Sequence, residues 1–178
     1  LLAEIADTVD HIVIMAYDFH RPGSSNTGPV APLRTRTNDK NIINTLRVAN
    51  EKFPRDKLIM AFPLYGYEWY TASEEFASQT LDKPTALASY GRMKDFTKDN
   101  EEDIKMFWDR VGESPWLVYK DGNFIKQIYY EDLRSLKIKL SLIQQTEISG
   151  VGFWSLGYEG DNNDIWKEVI KRMKNEKN

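Results

Sequence analysis

Asp10-His11-Ile12-Val13-Ile14-Met15-Ala16-Tyr17-Asp18-Phe19-His20 decides the fold of this chain. Ile12 to Met15 form a continuous apolar run, the mark of a strand buried on both faces. The run ends abruptly in a phenol and a carboxylate, Tyr17 and Asp18. Parallel α/β folds gather their chemistry at the carboxyl ends of such strands, where a rigid scaffold aims side chains into a shared pocket. Two further stretches repeat the pattern. Leu58-Ile59-Met60-Ala61-Phe62-Pro63-Leu64-Tyr65-Gly66-Tyr67-Glu68-Trp69 and Gly150-Val151-Gly152-Phe153-Trp154-Ser155-Leu156-Gly157-Tyr158 each begin apolar and finish in aromatic and polar residues.

Helical patterns separate these strands. Ile42, Leu46 and Ala49 share a face between Asn38 and Phe53. Asn38 is the expected N-cap, Asp39 suits the positive end of the helix dipole, and Pro54-Arg55-Asp56 stops the helix. Leu133, Leu136, Leu140 and Ile143 make a second stripe, closed by Ser149-Gly150; Ile165, Val169 and Met173 make a third. The order strand, helix, strand, insert, helix, strand, helix specifies parallel strands joined by right-handed crossovers. The segment 70–130 is far longer than the ~2–6 residues of a usual βα loop, so it should carry its own small fold. Within it, Pro84 to Asp95 holds a short helix that Gly91 weakens. Trp116 to Lys120 and Phe124 to Tyr129, joined through Asp121-Gly122-Asn123, form a hairpin that Ile104 to Trp108 can extend. The expected organisation is a barrel-type α/β unit at 1–69 and 131–178, with an α+β insertion at 70–130.

Composition bounds the function. The chain has 178 residues, 41% of them apolar, enough for one globular core. A net charge of −3 argues against nucleic-acid binding as the main activity. No apolar run is long enough to span a membrane. Cysteine is absent, which excludes disulfides, thiol nucleophiles and cysteine-ligated zinc without fixing a compartment. His11 and His20, the only histidines, stand at opposite ends of one strand and cannot form a compact metal pair, so neither a metal nor another cofactor is expected. His11 reads as structural, and His20 has a minor claim to a pocket wall. The opening Leu1-Leu2-Ala3-Glu4-Ile5-Ala6 reads as the end of an amphipathic helix, as if cut from a longer protein.

In this order, the three strand ends resemble glycoside hydrolase family 18, the chitinase-like (β/α)8 barrels. Met15-Ala16-Tyr17-Asp18 matches that family's sixth-strand Met-x-Tyr-Asp motif. Phe62-Pro63-Leu64-Tyr65-Gly66 looks like its seventh-strand Pro-x-Tyr-Gly element, and Gly150-Val151-Gly152-Phe153-Trp154 like its eighth strand. The insertion sits where many members carry an α+β domain. Glu113-Ser114-Pro115-Trp116 to Tyr119, then Tyr129 to Ser135, are most similar to the bacterial branch containing spore-cortex peptidoglycan hydrolases. The fold implied is the C-terminal part of a (β/α)8 TIM barrel, about three βα units, with the insertion.

Family 18 implies a substrate-assisted retaining glycosidase, in which the sugar's own 2-acetamido oxygen attacks the anomeric carbon. By that resemblance Tyr17 hydrogen-bonds the acetamido carbonyl, Asp18 binds the distorted sugar, and Met15 packs beneath them. Trp154 is the floor of the pocket and Tyr65 reaches it from the seventh strand. Tyr67, counted with the substrate-facing residues, stands where many chitinases place Arg, which puts chitin itself in question. The family's Asp-x-x-Asp-x-Asp-x-Glu acid motif is not in these residues, and Glu68, Glu131 and Glu159 are in the wrong contexts to replace it. Glu159 and Asp161 read as solvated turn residues, Tyr158 as a rim residue, and Trp116 and Tyr119 as packing for the insertion.

Three readings follow. The chain supplies the sugar-holding part of a hydrolase of N-acetylglucosamine glycans, chitin or peptidoglycan; or it belongs to a lectin of the same fold; or it is a structural piece with no pocket. The expected partners are that polysaccharide and either the rest of the barrel or a second copy. The expected setting is extracellular, cell wall or spore envelope, by analogy with the family's substrates.

Overall fold

A computed structural model describes residues 2–37 and 40–173. The expected N-cap Asn38 and its neighbour Asp39 lie outside the described residues, as does the side chain of Met173. Helix α1 (Leu2–Thr8) leads into β1 (Ile12–Met15). Helix α2 (Ile42–Lys52) then crosses to β2 (Leu58–Pro63). Its cap is Asn41, whose side chain accepts a hydrogen bond from the Asn44 amide at 2.9 Å. Helix α4 (Leu133–Thr146) leads to β8 (Gly150–Trp154), and α5 (Asp164–Met173) follows. Asp132 and Ser135 start α4 with a reciprocal capping box. The helix ends at Glu147, in the left-handed region at φ 54°, and so before the expected stop at Ser149-Gly150.

The three strands form one parallel sheet in the order β1-β2-β8. Ile42, Leu46 and Ala49 of α2 and Leu136, Leu140 and Ile143 of α4 bury their stripes against Leu58, Met60 and Phe62 on the sheet's outer face. The period-2 alternation of a strand gives the opposite face a different set. By register it carries Val13 and Met15, then Ile59, Ala61 and Pro63, then Gly150, Gly152 and Trp154. Along β1 the outward residues are half-buried and these are exposed.

The stretch Leu58–Trp69 is not one strand. At Leu64 the chain leaves the parallel sheet, anchored by its amide donating to the Trp154 carbonyl at 2.7 Å. It re-emerges as β3 (Tyr65–Thr71), followed by β4 (Ala86–Ser89), β5 (Lys105–Asp109), β6 (Ser114–Asp121) and β7 (Phe124–Tyr129). These make an antiparallel sheet in the order β4-β3-β7-β6-β5. The boundary expected at residue 70 therefore falls inside β3, and the second sheet begins at Tyr65. The expected hairpin is present, with Asp121 paired to Phe124, and the expected third strand joins it as β5. Helix α3 (Tyr90–Asp99) starts later than expected because residues 86–89 pair with β3 first. Gly91, which the sequence reads as weakening that helix, lets it pack close: a Cβ there would meet the Glu159 carbonyl oxygen at 2.9 Å. Gly66 is required more strictly, since its Cβ would stand 1.8 Å from the Tyr129 carbonyl oxygen.

Candidate functional site

The end of β1 builds the centre of the site. The Ala16 amide still donates to Ala61 at 3.0 Å, as a strand residue does, and two residues later the chain turns sharply. Asp18 makes that turn at φ 61°, a conformation that Asp tolerates better than most residues. Its Oδ1 accepts from the Tyr65 hydroxyl at 2.6 Å and from the Tyr67 hydroxyl at 3.1 Å. Hydrogen bonds to an ionised acceptor are the stronger kind, and two on one oxygen fix the carboxylate's orientation.

The phenols are locked in turn by their rings. Tyr65 meets Tyr17 edge-on at 6.1 Å, Tyr67 at 5.5 Å and Tyr158 at 6.0 Å between centroids. Burial, then the Asp18 charge, raises the pKa of the Tyr17, Tyr65 and Tyr67 hydroxyls. All three therefore remain neutral donors across the physiological range.

The sequence-selected residues fall into two groups. Asp18, Tyr65 and Tyr67 form one bonded cluster, with the Tyr17 ring against it. Met15 and Trp154, 69% and 55% exposed, lie on the open face of the parallel sheet. Trp154 pairs with Pro63 and Met15 with Ala61, so both sit toward the carboxyl ends of their strands, where Asp18 is. Tyr158, read from sequence only as a rim residue, touches Tyr65 directly. Its signal is its position four residues beyond Trp154, in the loop leaving the same strand end.

Glu68, Glu131 and Glu159 are committed elsewhere. Glu68 points to the other face of β3, where Lys126 Nζ at 2.8 Å, the Tyr119 hydroxyl at 2.7 Å and the Arg92 guanidinium hold it. Glu131 is buried against Lys139 Nζ at 2.7 Å and the Ser135 hydroxyl at 2.5 Å. Glu159 corrects the reading as a solvated turn residue. It is 8% exposed and accepts from the Gly157 amide at 2.7 Å and the Trp166 indole at 3.1 Å, which shapes the loop carrying Tyr158. Asp161 is exposed, as expected. Trp116 packs within the insertion, stacked on Tyr129 at 5.4 Å, and Tyr119 serves Glu68. His20 is tied by Nδ1 to the Pro29 carbonyl at 2.9 Å. Among the described residues no group of three His, Asp or Glu side chains is arranged to hold a metal ion.

A parallel βα sheet with an aromatic and acidic cluster at its carboxyl end, joined to an antiparallel insertion, defines a partial TIM-barrel protein. The match is specific. Residues 1–159 fit the glycosyl hydrolases family 18, and the chain belongs to that family. Among its relatives is the cortical fragment-lytic enzyme of Bacillus subtilis, 26% identical over 157 residues, covering 85% of this chain and 32% of that protein. The crystal structure of the Ostrinia furnacalis Group IV chitinase in complex with allosamidin superposes with a TM-score of 0.84 at 17% identity, over 98% of this chain and 52% of that one. The Bacillus cereus spore cortex-lytic enzyme SleL does so with a TM-score of 0.79 at 21% identity, over 97% and 36%. The chain thus spans between a third and about half of the length of these proteins.

Proposed function

We propose that this chain is the sugar-holding part of a retaining, substrate-assisted glycoside hydrolase acting on β-1,4-linked N-acetylglucosamine glycans, peptidoglycan or chitin. The observation that carries the reading is the Asp18 carboxylate, clamped by two neutral phenols at a barrel strand end, with Trp154 exposed on the same sheet. In this mechanism the 2-acetamido oxygen of the bound sugar attacks its own anomeric carbon, forming an oxazolinium ion as the glycosidic bond breaks. An acid outside these residues protonates the departing oxygen; water then opens the oxazolinium with retention. The Tyr17 hydroxyl donates to the acetamido oxygen, Asp18 accepts from the distorted sugar, and Tyr65 and Tyr67 hold Asp18 in place. Trp154 and Met15 give the apolar surface against which the ring and acetamido methyl rest. Holding the acetamido group in attack geometry removes several kcal/mol of barrier.

The test is hydrolysis of N-acetylglucosamine oligomers and of peptidoglycan fragments by the full-length protein. Turnover with retained configuration, lost in Asp18→Asn, supports the reading; inversion, or turnover that survives the substitution, ends it. A non-catalytic glycan-binding role is the second reading, favoured by the engagement of Glu68, Glu131 and Glu159 in other bonds. An Asp-x-x-Asp-x-Asp-x-Glu string encoded upstream of Leu1 decides for hydrolysis, and its absence decides for binding alone.

The open sheet face implies a partner. Val13, Met15 and Trp154 are 56%, 69% and 55% exposed, and among the described residues β1 and β8 are the edge strands of this sheet. We infer that the remainder of a barrel, or a second copy, covers this face. Sedimentation of the chain as a stable monomer that binds no apolar dye contradicts that. The isolated chain is expected to have no glycosidase turnover. The proposed setting is extracellular, in the cell wall or spore envelope.

A further inference from the structure

The loop that leaves Asp18 builds a second concave surface before it reaches α2. A cleft of about 190 Å³ opens between this loop and the insertion, lined among others by His20, Arg34, Arg36, Phe76 and Asp109. That is below the ~300–1,000 Å³ of pockets that enclose whole drug-sized ligands, and fits a substituent better than a sugar chain.

Its charge is unlike the rest of the molecule. The chain carries −3 overall, yet Asp109 is the only carboxylate lining this cleft among the described residues. Asp109 is already engaged: its Oδ1 accepts from Arg36 at 2.8 Å and from the Val111 amide at 3.1 Å. Arg36 keeps donors to spare, with its side chain 48% exposed and its guanidinium lying 4.7 Å from the centre of the Phe76 ring. Arg34 is exposed and has no hydrogen-bond or ion-pair partner among the described residues. Phe76 itself is 39% exposed, an apolar surface in a cleft lined by two cations, one of them against its ring.

The cleft is joined to the Asp18 cluster by a rigid row of rings. Tyr67 contacts Trp69 at 5.7 Å, Trp69 contacts Tyr129 at 6.3 Å, and Tyr129 contacts Phe76 at 6.2 Å. On the other side, the His20 ring is pinned to Pro29 and packs on Gly28, where a Cβ would come within 2.6 Å of it. Both walls are therefore ordered before any ligand arrives, which lowers the entropic cost of binding.

We propose that this cleft is an accessory subsite for a carboxylate borne by the glycan, with Arg34 and Arg36 binding the charge and Phe76 the adjoining apolar atoms. The inference rests on the glycan reading above and sharpens it, because chitin has no such carboxylate whereas peptidoglycan has two sources, the lactyl ether of its muramic acid and the stem peptide. Guanidinium groups suit either source, since a planar fork of donors matches a carboxylate.

Calorimetric titration of the full-length protein with three tetrasaccharides tests it: the neutral N-acetylglucosamine tetramer, a muramic-acid tetramer with free lactyl groups, and the same tetramer carrying stem peptides. At low salt one or both acidic ligands should bind about five- to tenfold more tightly than the neutral one, and which of them gains identifies the source. Raising the ionic strength should erode the preference, and Arg34→Gln should cut it about threefold or more. Arg34→Gln is the informative variant because Arg36→Gln would also strip the buried Asp109 of its ion-pair partner. Equal affinities for all three, or a preference indifferent to both salt and Arg34→Gln, would overturn the proposal while leaving the glycan reading intact. Failure of all three tetrasaccharides to bind would remove the glycan reading and this inference with it.

Discussion

The parallel and antiparallel sheets of this chain carry the same kinds of aromatic residue and treat them in opposite ways. In the antiparallel sheet Trp69, Trp116 and Tyr129 are 2%, 6% and 0% exposed, stacked or edge-on to one another. In the parallel sheet Trp154 is more than half exposed and shares its face of β8 with only Gly150 and Gly152. The first arrangement is a core, where rings fill space and stabilise the fold. The second is a surface held ready for something else. The contrast teaches that residue type alone does not separate a core ring from an exposed one; the size of the neighbours on the same face does.

The largest expected effect tests that contrast directly. Trp116→Ala should destabilise the full-length protein by about 3–5 kcal/mol in urea unfolding, the usual cost of truncating a large buried ring. Trp154→Ala should move the same transition less than Trp116→Ala does, yet weaken binding of N-acetylglucosamine oligomers about tenfold or more. Equal losses of stability at the two sites would erase the distinction.

Next in size is Asp18→Asn, which keeps the shape and the left-handed backbone but removes the charge. Turnover on N-acetylglucosamine oligomers should drop by roughly two orders of magnitude, the scale of losing one preorganised electrostatic group. Thermal stability should change little, because Asn accepts φ 61° nearly as well. A variant that unfolds while retaining its specific activity would recast Asp18 as a strut.

How far the sequence disclosed all this differs between the two sheets for a physical reason. Parallel strands leave long apolar runs, so β1, β2 and β8 were legible, and the stripes of α2 and α4 identified their buried faces. The break at Leu64 was not legible, because Pro63-Leu64-Tyr65 stays apolar while the chain passes from one sheet to the other. That Asn41 caps α2 was not legible either, because capping depends on which amide lies within reach, and several polar residues in a row look alike. At the site, Tyr17, Asp18, Tyr65 and Trp154 were visible as polar or aromatic ends to apolar runs. Their bonding was not, since Asp18 and its two phenols are separated by 47 and 49 positions. Glu159 misled for a related reason: a Gly-rich loop reads as solvent-exposed, and its two bonds form only once the loop folds over Trp166.

A smaller effect concerns pH and the far face of β3. Burial raises the pKa of Glu68, but Lys126, Arg92 and Tyr119 outweigh it and hold the carboxyl below its ordinary value of 4.5. A depressed folded-state pKa gives stability that is fully present above the unfolded value and is lost as pH falls through the folded one. Acidification from pH 7 to below 4 should therefore lower the unfolding midpoint of the wild type more than that of Glu68→Gln. Parallel losses would mean that this network contributes nothing to acid stability. Among the described residues no cation is bonded to the Asp18 carboxylate, so an equivalent test there would read turnover rather than unfolding.

The smallest effect is the most discriminating for the site. Tyr67 makes the longer of the two bonds to Asp18 Oδ1, 3.1 Å against 2.6 Å for Tyr65. Tyr67→Phe removes one hydroxyl and leaves the ring against Trp69, so packing in the insertion is retained. Hydrogen bonds to charged groups contribute about 1.5–3 kcal/mol, and this longer one, with Tyr65 still holding Asp18, should sit at or below the low end, so kcat should fall by about tenfold or less with stability changed by about 1 kcal/mol or less. If Tyr67 acts by positioning Asp18, Tyr67→Phe in an Asp18→Asn background should cost much less than it does alone, because the two residues act through one contact. If Tyr67 instead touches the sugar, the two losses add and KM rises. Additive losses would detach Tyr67 from Asp18 and make it a second, independent contact to the glycan.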